Sequence, residues 1–138
     1  MYTTELIYQG ALRCNATHIR SGIQIETDAP IDNNGKGERF SPTDLVAAAL
    51  GSCMLTVMGI EAEKHQIDLS GSRIKLIKVM GIGPRRIVAL KGELQVYHSA
   101  CSPEQIELLK QTALNCPVAK SIHPDIRQEI ELNFILKG

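Results

Sequence analysis

The chain has 138 residues, 43% hydrophobic and 22% charged, with fifteen basic and fifteen acidic side chains. That length suits one domain with its own core, and the neutral balance lacks the basic block that a nucleic-acid surface needs. Two Phe, three Tyr and no Trp also leave little from which to build a base-stacking platform.

The opening residues, MYTTELIYQG, hold no basic region followed by an apolar run, so no signal peptide is expected. The segments TTELIYQGAL, CNATHIRSG and IQIETDAP read as three strands of an antiparallel meander. In the third, Ile23 and Ile25 face one side, and Gln24 and Glu26 the other. DNNGKGERF, residues 32–40, is rich in Gly, Asn and charge and is expected to be an exposed loop.

SPTD, residues 41–44, is a helix start. Ser41 can cap, Pro42 suits the first helical position, and Asp44 stands where the reciprocal acid of a capping box belongs, although Asp is shorter than the usual Glu or Gln. The helix is predicted to run to about Lys64. Its run LVAAALGSCMLTVMGI carries no charge. The run is short for a membrane span and contains Gly51, Ser52, Thr56 and Gly59, so a buried core helix and a cytoplasmic protein are expected. Ala47, Ala48, Ala49, Gly51 and Ser52 are small enough to admit another element closely, the same helix of a second subunit among the candidates.

RIKLIKV and GELQVYH alternate apolar and polar residues, and GIGPRR supplies a turn between them, which predicts a hairpin. SPEQIELLKQTALN begins with a capping box of Ser102 and Gln105 and predicts a surface helix of about three turns. NCPVAKSI starts a shorter helix with Pro117 in its first turn, HPD breaks it, and RQEIELNFIL alternates as a closing strand. The fold class is therefore α+β, helices packed on antiparallel sheet, in a single domain over residues 1–138.

Four cysteines remain to be placed: Cys14, Cys53, Cys101 and Cys116. They form no CxxC pair and show no zinc-ligand spacing, so no metal site is expected. Thiols in the cytosol stay reduced unless they are catalytic, redox-active or metal-bound. Cys53 sits in the most apolar run of the chain, where it is either a small core hydrophobe or a reactive thiol activated by some other part of the fold. Cys116 precedes Pro117 at an N-cap position, where backbone N–H groups and the helix dipole should favour its thiolate. Cys14 on a strand reads as a bystander. So does Cys101, though its place near a helix start would allow some reactivity with general thiol reagents.

Taken together, SPTDLVAAALGSC and NCPVAKSI resemble the OsmC/Ohr family of hydroperoxide-reducing proteins. The resemblance runs over nearly the whole chain. It includes the order of elements, a first Cys deep in a long central helix and a second in a Cys-Pro pair near the C-terminus. It implies an OsmC-like fold, antiparallel sheets wrapped around a long buried central helix, in an intertwined homodimer. It also implies a thiol-dependent peroxidase for organic hydroperoxides, with hydrogen peroxide a second candidate. Cys53 would attack the O–O bond and become a sulfenic acid, and Cys116 would resolve it to a disulfide. It implies no bound cofactor and an external dithiol, lipoyl-type in some members, that would reduce the disulfide. Neither nucleic acid nor membrane is implied as a partner.

Burial disfavours a thiolate, so an Arg is expected near Cys53, where it could also stabilise the leaving alkoxide. Arg39, just before the helix, is the first candidate, with Arg20 and Arg13 as alternatives. The better-studied members carry a Glu directly after the Pro that starts the helix, and it holds the Arg. Here Thr43 follows Pro42, and the acid, Asp44, comes one position later. Asp44 lies about 13 Å along the helix axis from Cys53, so it would act through an Arg or across the dimer, or serve only as a cap with Ser41. Two other readings stay open: a small-ligand-binding protein on the same scaffold, and a redox sensor.

Overall fold

Alternation in the first part of the sequence becomes a three-stranded antiparallel sheet: β1 (Thr4–Gly10), β2 (Arg13–His18) and β3 (Gln24–Asp28), in that spatial order. The computed structural model describes residues 1–138, and this sheet belongs to the first of two units, Met1–Val46 and Ala47–Gly138. Register puts Leu6 opposite Ala16 and Ala16 opposite Ile25, while Tyr8 opposes Cys14 and Cys14 opposes Thr27. Residues directly opposite share a face, so one face of the sheet is largely apolar. It is nonetheless open: Leu6 is 57% exposed, Tyr8 63% and Ile25 48%. The buried residues of this unit are polar instead, namely Thr27, Asp28 and Ser41.

Those polar residues fasten the unit together. Arg13 donates from Nε to Asp28 Oδ1 at 2.6 Å and from a terminal nitrogen to Oδ2 at 2.9 Å, and Asp28 Oδ2 also accepts the Glu38 N–H at 3.2 Å. The Gly-rich loop is thus tied to β2 and β3, and it contains a short 3-10 turn at Ile31–Asn33.

The long helix α1 (Pro42–Glu63) starts in this unit and continues into the second. Its capping box closes despite the short acid: Asp44 N–H donates to Ser41 Oγ at 3.0 Å and Ser41 N–H to Asp44 Oδ2 at 2.9 Å. By length and composition alone α1 could cross a membrane.

In the second unit, β4 (Arg73–Gly81) and β5 (Arg86–His98) form the expected hairpin. Next come α2 (Pro103–Leu114), with the Ser102–Gln105 capping box complete, then α3 (Pro117–Ser121) and β6 (Arg127–Leu136). The sheet order is β4-β5-β6, and β6 runs parallel to β5, from Ala89 opposite Arg127 to His98 opposite Leu136. The expectation of antiparallel sheets is corrected at this one pair, the others being antiparallel. A parallel neighbour needs a crossover rather than a tight turn, and α2 and α3 supply it.

α1 lays Ala47, Leu50, Gly51, Met54, Met58 and Ala62 into this unit's core. Leu90, Leu94 and Val96 of β5, with Leu109 and Ala113 of α2, are fully buried there too. Gly51 explains the close approach: a Cβ built on it would come within 2.9 Å of both Ile74 and Leu76 on β4. The other small residues, Ala48, Ala49 and Ser52, face outward with Thr56 and Ile60. The helix is therefore buried along one stripe only, although its sequence is apolar nearly all round.

Candidate active site

Cys53 projects from the middle of α1 and is half-buried. Cys116 lies in the same unit at the N-cap of α3, only 1% exposed. The fold brings these two near each other, close enough for Cys53 to act on the Cys116 thiol. The extended backbone at Cys116 (φ −65°, ψ 156°) turns its sulfur over the first turn of α3, where Sγ accepts the Ala119 N–H at 3.4 Å. Both thiols are free.

The expected thiolate preference of Cys116 is reversed. Burial pushes this thiol up, and the contact with Cys53 pushes the same way, while the Ala119 and Val118 N–H groups pull it down. The amide effect read from the Cys-Pro junction is present, but desolvation outweighs it.

The candidate supporting residues, Arg13, Arg20, Arg39 and Asp44, belong to the first unit. Arg39 Nε donates to Glu26 Oε1 at 3.3 Å and a terminal nitrogen to the Glu38 carbonyl at 3.1 Å. Arg13 is taken by Asp28, with Glu38 a further 3.6 Å contact. Arg20 is exposed in the β2–β3 turn. Asp44 holds the Ser41 N–H. Within the first unit, Arg39, Ser41 and Asp44 line a shallow cavity of about 430 Å³ together with Pro30, Ile31, Asp32 and Gly37.

Burial pushes the Cys101 thiol up. Its Sγ lies 3.2 Å from His98 Nδ1, and that nitrogen is 2.7 Å from the Ser99 carbonyl. A carbonyl can only accept, so Nδ1 carries the proton. His98 is buried and tilts against the Phe134 ring at 6.1 Å. Sequence reasoning missed this residue because its strand alternation looks like that of any β5 neighbour. It also missed the Ala119 amide, a backbone group with no side-chain signature; only the Cys-Pro junction hinted at a donor there.

A family profile described as OsmC-like protein matches residues 35–131. Among curated proteins none matches the chain. Among solved structures the chain is similar to a protein of Psychrobacter arcticus 273-4, named by inference as osmotic stress induced and detoxification response. The two are 46% identical with a TM-score of 0.88, and the match covers 96% of each chain. It also resembles an organic hydroperoxide resistance protein OsmC of Legionella pneumophila, at 17% identity and TM-score 0.66, over 96% of this chain and 98% of that one. An organic hydroperoxide resistance protein of Elizabethkingia anophelis matches at 16% identity and TM-score 0.71, covering 98% of both chains. At those identities the likeness is one of fold.

Proposed function

Because the chain belongs to the OsmC-like protein family, we propose that it is a cysteine-based peroxidase acting on organic hydroperoxides as a cytoplasmic homodimer. The observation that carries this reading is the nearness of Cys53 to the buried Cys116 within one unit. A thiolate at Cys53 attacks the terminal oxygen of the hydroperoxide. The S–O bond forms, the O–O bond breaks, and the alkoxide leaves to become an alcohol. Cys116 then attacks the sulfenic sulfur, forming the disulfide and expelling hydroxide. An external dithiol, of lipoyl or similar type, restores the pair by thiol–disulfide exchange. The uncharged outer face of α1 suits an alkyl tail better than a charged substrate.

One equivalent of cumene hydroperoxide added to reduced protein is expected to remove two hydrogens and yield a peptide pair linked Cys53–Cys116. Cys53→Ser is expected to abolish turnover. Thiols that stay free at stoichiometric peroxide, or oxidise only in large excess, would sink the proposal.

A ligand-binding reading draws on one observation: Arg13 and Arg39, two candidates for activating the thiolate, are each engaged by carboxylates. Inert thiols, together with a melting temperature raised by a small apolar acid, would favour it.

A further inference from the structure

We propose that the second unit holds a binding site for a small organic cation, apart from the thiols, between the second half of α1 and the loop that leads to β4. A cavity of about 360 Å³ lies there, at the small end of the roughly 300–1,000 Å³ usual for small-molecule sites. Its lining is largely apolar: Met58, Ala62 and Ile67 are buried, Leu55 and Leu69 half-buried. Cys53 takes no part in it. Leu55, Gly59 and Ala62 follow Cys53 by two, six and nine residues, and at about 100° per residue they stand on the far side of the helix from it. The wall opposite the helix is held in place. The Ser99 N–H donates to the Asp68 carbonyl at 3.1 Å, and the Asp68 N–H to Ser99 Oγ at 2.9 Å. Lys137 Nζ donates to Asp68 Oδ2 at 2.8 Å, and Ser72 Oγ to the Leu69 carbonyl at 2.7 Å. The cavity is thus formed before any ligand arrives.

Charge sets the class of ligand. The charged side chains that line the cavity are Glu63 and Asp68, both acidic. Lys137 neutralises Asp68. Glu63 is exposed and has no ion pair, and the neighbouring Lys64 and His65 are both on Glu61. An apolar cavity beside one uncompensated carboxylate accepts an ammonium on a short hydrocarbon body and repels a carboxylate. Gly59 points to an occupant independently. A glycine inside a helix is less stable than an alanine there, and a close neighbour is the usual reason for it, as Gly51 has in Ile74 and Leu76. Gly59 has no such neighbour: a Cβ built on it meets nothing within 4 Å. The chain itself gives no reason for the missing methyl, and a ligand seated against the helix does.

The test titrates hexylamine into full-length protein by calorimetry near neutral pH, beside hexanol and hexanoate. Hexylamine is expected to bind once per chain and hexanol about threefold more weakly, the worth of one exposed ion pair, with hexanoate weaker still. Glu63→Gln is expected to remove the preference for the amine and to leave hexanol binding unchanged. Gly59→Ala is expected to act in two directions at once. Its melting temperature without ligand rises by about 3 °C, because alanine is the better helix former. Its affinity for hexylamine falls about tenfold, because the methyl crowds the site. Equal binding of amine and carboxylate, or an amine affinity unmoved in both variants, would overturn the inference. So would a Gly59→Ala protein that sediments toward monomer, which would give the space beside Gly59 to a second copy of the chain.

Discussion

Asp28 is the residue on which the first unit depends most. A buried carboxylate survives only with partners, and this one has the Arg13 guanidinium on both oxygens and the Glu38 amide besides. Those hydrogen bonds, Arg13 first, hold its pKa below the ordinary carboxylate value against the opposing effect of burial. On the second unit's surface, Asp68 is lowered to about 2, chiefly by the Lys137 hydrogen bond and then by Ser70. A carboxylate whose folded pKa is depressed contributes stability above its unfolded pKa, near 3.9, and that contribution is lost as pH falls through the folded value. Thermal unfolding midpoints should therefore hold down to about pH 5 and drop below about pH 4. Asp28→Asn leaves Arg13 without its counter-charge, so it should lower the midpoint at pH 7 and flatten the acid limb. An acid limb as steep in Asp28→Asn as in wild type would show that this pair does not govern it.

At the scale of elements, the strand β5 shows how closely the sheet is built. A Cβ on Gly92 would lie within about 2.2 Å of the Lys75 carbonyl oxygen and 2.8 Å of a Leu76 methyl. Backbone cannot step aside as a side-chain tip can, so Gly92→Ala is expected to cost about 1–3 kcal/mol, read as a lower urea midpoint at unchanged slope. Much of this layer was legible beforehand. RIKLIKV and GELQVYH announced the hairpin by their period of two, and Ser41–Asp44 and Ser102–Gln105 announced both long helices. The direction of β6 was not legible, because RQEIELNFIL alternates identically whichever way it runs. Nor was the state of Cys116. Its N-cap position is local and readable, but the burial that outweighs the amides depends on tertiary packing. The nearness of Cys53 to Cys116 was expected only from resemblance, since nothing in the spacing of a helix residue and a loop residue brings them together. The resemblance did not reach the arginine: three candidates stood open, and Arg39 and Arg13 found carboxylates of their own unit.

For the whole molecule, the unanswered surface is apolar. Leu6, Tyr8 and Ile25 lie open on the first sheet, and on α1 Ala48, Ala49 and Ile60 lie open with the hydroxyl residues Ser52 and Thr56 between them. The homodimer proposed above would cover exposed apolar area of this kind. A helix with this composition also passes as a membrane span, and the two explanations make different demands. Detergent-free protein is expected to sediment as a dimer, and Thr56→Lys, which sets a charge in the middle of the open face of α1, to shift it toward monomer. A monomer that partitions into liposomes would sink the dimer.

The parallel pairing of β6 bears on chain entropy. β5 gains its first neighbour by closing the short turn between Gly81 and Arg86, and its second by closing the long excursion through residues 99–126. Loop closure grows only as the logarithm of length, and part of that excursion is already ordered by α2 and α3. The central strand thus holds a local partner and a remote one. The helix that carries Cys116 lies inside the remote loop, so the register of β6 and the position of the thiol are secured by the same closure.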